Sequence, residues 1–104
     1  DKKSKNQEKV YNAVEAINKA ANRTTIYITK SINGTYKSDQ ELSDLWLEAA
    51  KAVRDLDDDL YNRLLGKAEY WSNPEEWPDE RVKRARISLL EIKRESKKLL
   101  KKKK

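Results

Sequence analysis

Residues 24–36 read TTIYITKSINGTY, and the way they fold decides the class of the whole chain. Every position from Thr24 to Thr29 is β-branched or aromatic, and Asn33-Gly34 is a strong hairpin turn. A hairpin here would place a sheet in the middle of the protein. Against it, only Thr35-Tyr36-Lys37 follows the turn before the next helix signal, and an isolated two-stranded hairpin is marginal in water. The wider spacing favours a helix. Val10, Val14, Ile17, Ala21, Thr24, Ile28 and Ile32 recur at helical intervals, and Ala13 and Ala20 widen the same stripe. The expectation is one helix from Gln7, stopped at Asn33-Gly34 because glycine tolerates the left-handed conformation of a helix end.

Downstream, the helix signals continue. Ser38-Asp39-Gln40-Glu41 has the form of a capping box, with Ser38 as cap. It opens a helix whose apolar stripe is Leu42, Leu45, Trp46, Ala49, Val53 and Leu56. Asp57 is placed to cap a third helix, with Asp58 and Asp59 in the first turn, where carboxylates meet the positive end of the helix dipole. Its apolar set is Leu60, Leu64, Leu65, Ala68 and Trp71. Asn73-Pro74 restarts a short turn with Asn73 as cap, Pro78 breaks it, and 79–85 forms another. A second capping box, Ser88-Leu89-Leu90-Glu91, starts the last helix, with Leu89, Ile92, Ser96 and Leu99 inward and Leu100 widening that side. The fold expected is all-α: a single domain over 1–104, a four-helix bundle with a short irregular helical elbow between helices 3 and 4. Residues 1–6 and 101–104 are expected to fray.

Composition narrows the chemistry. The 104 residues include no Cys, Met, Phe or His, so disulfides, thiolate metal sites and a histidine base are excluded. No apolar run reaches the roughly 18 residues of a membrane span and no signal-peptide core is visible, so no membrane insertion and a cytoplasmic location are expected. The absence of four residue types points to a computationally redesigned or otherwise engineered backbone. No glycine-rich phosphate loop occurs, and the Asp57–Asp59 and Glu75-Glu76 clusters read as helix starts, not as a catalytic pair or metal site. No enzyme activity and no cofactor are expected.

Charge is uneven. Residues 1–37 carry a net +5, 38–80 a net −9 and 81–104 a net +10. The plainer expectation is that the basic ends lie beside the acidic middle helices and are neutralised across the bundle; the alternative is that they face a polyanion. Two candidate sites follow. On helix 1, Ile26 falls opposite the apolar stripe, and Arg23, Ile26, Tyr27 and Lys30 form a candidate anchor for a protein partner. In the C-terminal part, Arg84, Arg86, Lys93, Arg94, Lys97 and Lys98 form a candidate polyanion surface for nucleic acid. The stretch from Tyr70 to Pro78, with Trp71 and Trp77, is expected to fold back as a lid over the bundle end. The leading expectation of function is a non-catalytic helical protein-interaction module. A nucleic-acid-binding protein is the second, and a designed protein with no ligand the third.

Overall fold

The computed structural model describes residues 2–31 and 36–102, and the side chains of 7–31 and 36–101. The helix-or-hairpin question is settled by a continuous α1, Lys2–Lys30, and no strand occurs among the described residues. It begins five residues ahead of the expected start at Gln7, because nothing between Lys2 and Asn6 breaks a helix once it is propagating. The expected stop at Asn33-Gly34, with Ile32, lies outside the described residues. The threonines that suggested a strand are accommodated by back-bonding. The hydroxyls of Thr24, Thr25 and Thr29 donate to the carbonyls of Ala20, Ala21 and Thr25 at 2.8–2.9 Å, which satisfies a β-branched polar side chain inside a helix.

The remaining elements are α2 (Gln40–Val53), α3 (Asp58–Ser72), a 3-10 turn at Pro74–Glu76, α4 (Asp79–Ala85) and α5 (Leu89–Lys102). This is the all-α, bundle-like arrangement with an irregular elbow before the last helix. At 1.5 Å per residue the 29 residues of α1 span about 43 Å, and they set the long axis of a molecule measuring 49 × 24 × 18 Å. The helices α2 and α3 share the most extensive contact, α1 packs on α2, and α5 lies on α1 with a smaller contact to α3.

The core follows the predicted stripes. Ala13, Ile17, Ala20, Ala21 and Thr24 of α1 meet Leu42, Trp46, Ala49, Ala50 and Val53 of α2, Leu60, Leu64, Ala68 and Trp71 of α3, and Ile92 and Leu99 of α5. Leu100 does not join them; it is exposed, as is Leu90, because at 100° per residue both fall outside the arc centred on Ile92 and Leu99.

The caps hold with two shifts. Asp57 caps α3 by accepting from Leu60 N at 3.0 Å. Ser88 Oγ accepts from Glu91 N at 3.2 Å and donates to the Glu91 carboxylate, so the box closes on the hydroxyl and not on the backbone. At α2 the cap is Asp39, not Ser38: Asp39 accepts from Leu42 N at 3.0 Å while its own N–H donates to Trp71 O at 2.9 Å. That tie to the end of α3 moves the helix start by one residue, and Glu41, released from the box, pairs with Arg23 at 2.6 Å. Asn73 makes no side-chain cap to the 3-10 turn; its carbonyl accepts from Glu76 N.

One buried polar pair pins α1 to α2. Trp46 Nε1 donates to Thr24 Oγ1 at 2.9 Å, with both side chains fully buried. Thr24→Val keeps the shape and strands the indole N–H, an expected cost of about 1–3 kcal/mol. Thr25→Val, at an exposed position, is expected to stay within about 0.5 kcal/mol. Urea denaturation of the two variants compares them directly.

Candidate polyanion-binding face

The α1 candidate comes first. Arg23, Ile26, Tyr27 and Lys30 do share one ridge of α1, and Ile26 is 45% exposed as its position predicted. Two of the four are committed inside the protein. The Tyr27 hydroxyl accepts from Lys37 N at 2.8 Å and donates to Lys37 O, and its ring packs edge-on against Trp71 at 5.2 Å. Tyr27 therefore clasps the chain returning from α1 to α2. Arg23 holds Glu41. Ile26 and Lys30 remain as outward groups.

The elbow folds back onto α3. Trp71 and Trp77 are both buried. Trp77 lies against Tyr70 at 6.1 Å, the Arg81 guanidinium covers its ring at 3.8 Å, and Arg81 is held in turn by Glu69 at 3.3 Å. Gly66 makes room for this segment: a methyl group there would sit 3.4 Å from Ile87 and 3.7 Å from the Trp77 ring. The elbow ends at Arg86, which closes α4 in the left-handed region (φ 55°) with its N–H on Val82 O and Lys83 O, a conformation that disfavours any side chain.

Sequence reasoning missed Lys67. It is 6% exposed, with its ammonium 5.7 Å from the Trp46 ring and 5.8 Å from the Tyr70 ring. No carboxylate lies within 4 Å of it among the described residues. Burial pulls its pKa from 10.5 down to about 8. Burial also raises the Tyr70 pKa, with smaller contributions from Tyr36, Asp79 and Tyr27. The signal was present: Lys67 follows Leu60 and Leu64 at i+7 and i+3, on the buried face of α3.

The basic C-terminal set is arranged differently from the neutralised bundle. The expected neutralisation holds for α1, which packs on the acidic α2 with Arg23 on Glu41, whereas α5 lies on α1 and makes only a smaller contact with the acidic α3. The acids of α5 are themselves occupied. Glu91 takes Arg86 at 3.3 Å, while Glu95 takes Lys98 at 3.2 Å and Arg63 at 3.6 Å; Arg63 also holds Asp59 at 2.9 Å. Arg84, Lys93, Arg94, Lys97 and Lys101 are exposed and have no carboxylate within 4 Å among the described residues. Of the six residues expected to meet a polyanion, the structure leaves Arg84, Lys93, Arg94 and Lys97 unpaired and gives Arg86 and Lys98 an internal partner. Lys101 belongs with the unpaired group. Lys103 and Lys104, in the basic tail, lie outside the described residues.

Among the described residues no helix is long and apolar enough to cross a membrane, and no three carboxylates come together as metal ligands. No family model, no curated protein and no solved structure matches the chain.

Proposed function

We propose that the chain is a non-catalytic helical binding module, acting in a cytoplasmic setting, that takes a polyanion along the outer face of α5 and the adjoining Arg84. One observation carries this reading: Lys93, Arg94, Lys97 and Lys101 stand exposed along a 14-residue helix with no carboxylate within 4 Å among the described residues. Clustered like charges raise the local concentration of an oppositely charged ligand and release its counterions on binding. The test is heparin chromatography of the wild type and of Arg94→Glu/Lys97→Glu. Wild type is expected to be retained at low salt and eluted by NaCl. The reversal variant is expected to pass through with an unchanged melting curve, since exposed substitutions of this kind stay within about 0.5 kcal/mol. Passage of the wild type through the column at low salt contradicts the reading.

A second reading, contact with a protein partner on α1, is favoured by the exposure of Ile26 beside Lys30. Ile26→Asp then weakens capture of that partner and leaves the melting temperature in place.

A further inference from the structure

We infer that the polyanion is duplex DNA, gripped in its major groove along α5, with Leu90 facing the base edges between two cationic flanks. This rests on the assignment of α5 as the polyanion face, and it adds the class of ligand and the mode of contact. At 100° per residue, Lys93, Lys97, Lys101, Arg94 and Lys98 fan over about 140° of the circumference of α5. Leu90 falls near the middle of that fan, in the first turn, and is 67% exposed. Cations on both shoulders with an apolar group between them match a groove, whose two walls are phosphates and whose floor offers base edges and thymine methyl groups. A B-form major groove about 12 Å wide admits one α-helix.

The other polyanions fit less well. Single strands are held by exposed aromatic platforms on which bases stack. Here Trp46, Trp71 and Trp77 are all buried, and Tyr27, Tyr36 and Tyr70 are half-buried and packed around the last two. Tyr61 is half-buried, and Tyr11, 54% exposed, lies on α1 and not on the cationic face of α5. The major groove of duplex RNA is too deep and narrow for side chains to read. An anionic bilayer is bound by a helix that lays its apolar stripe into the headgroup boundary, but the stripe of α5 (Ile92, Ser96, Leu99) is in the core. A flat surface also meets only one edge of so wide a cationic arc.

The experiment is a fluorescence-anisotropy titration of the full chain with a labelled 20-base-pair DNA. The same sequence as single strand and as duplex RNA, and phosphatidylserine-containing vesicles, are the comparisons. Each is measured between about 50 and 200 mM NaCl, the range over which phosphate-driven binding changes most visibly. Duplex DNA is expected to bind about tenfold more tightly than the other three, with a log–log salt slope near −3.6 if four phosphates are neutralised. Leu90→Ala is expected to weaken duplex binding about fivefold without changing that slope, the mark of a base-edge contact as opposed to a phosphate contact. Equal affinity for all four ligands, tighter binding to vesicles, or an unaltered affinity in Leu90→Ala overturns the duplex inference while leaving α5 as a polyanion face. An Arg94→Glu/Lys97→Glu variant that binds duplex DNA as the wild type does overturns both.

Discussion

Lys67→Met is expected to stabilise the protein by about 1–2 kcal/mol at pH 7. Moving the Lys67 pKa from 10.5 to about 8 corresponds to about 3 kcal/mol, at 1.36 kcal/mol per pKa unit, and the ring contacts of the desolvated ammonium return about 2 kcal/mol. The sign follows from linkage. The folded pKa lies below the unfolded value, so the unfolded chain binds the proton more tightly between about pH 8 and 10.5. Wild type therefore carries the full penalty below pH 8 and gains stability as pH rises through that window. The raised Tyr70 pKa acts oppositely, removing stability above its ordinary value of 10.0, so pH 8 to 10 isolates the lysine. Urea denaturation across that range is expected to show wild type rising and Lys67→Met flat. Parallel curves for the two proteins would show that the ammonium is solvated.

Trp71→Ala is expected to cost about 3–5 kcal/mol, the range for truncating a buried aromatic, or about 15–25 °C in melting temperature for a domain of this size. Trp71 is the hub of the bundle end. Tyr70, Tyr27 and Tyr36 surround its ring at 5.1, 5.2 and 5.8 Å, and its carbonyl receives the Asp39 N–H. Its removal opens a void beneath the clasp that Tyr27 makes on Lys37, so the Lys37 and Asp39 amides are expected to lose hydrogen-exchange protection ahead of those in α3. Trp71→Phe is expected to cost only about 1–2 kcal/mol. The Trp71 Nε1 is buried with no hydrogen-bond partner among the described residues, and replacing it with an apolar ring removes an unsatisfied donor. A Trp71→Phe loss as large as that of Trp71→Ala would show that the indole N–H is paired in solution.

Much of the fold is written in the spacing of apolar residues. The stripes through Val10–Thr24, Leu42–Val53, Leu60–Trp71 and Ile92–Leu99 enter the core as predicted, since a three- and four-residue period leaves a helix only one side to bury. The threonine run of α1 was ambiguous because back-bonding to the preceding turn can neutralise strand propensity, and that is a property of the folded helix. The shift of the α2 cap from Ser38 to Asp39 was not legible either. It depends on a hydrogen bond from Asp39 to Trp71, thirty-two positions along the chain. The candidate sites divided for the same reason. The exposure of Ile26 and the basic surface of α5 follow from helix geometry alone. The diversion of Tyr27 to Lys37, of Arg86 to Glu91 and of Lys98 to Glu95 follows from which elements meet. Lys67 escaped notice because its charge masked a buried position.

The most direct measurement of the central claim is an NMR titration of the isotope-labelled protein with heparin or duplex DNA, following every backbone amide. Shifts concentrated at 90–101 and around Arg84, diminishing as NaCl is added, are the predicted result. Shifts centred on 22–30, with α5 unmoved, would contradict it and place the working surface on α1.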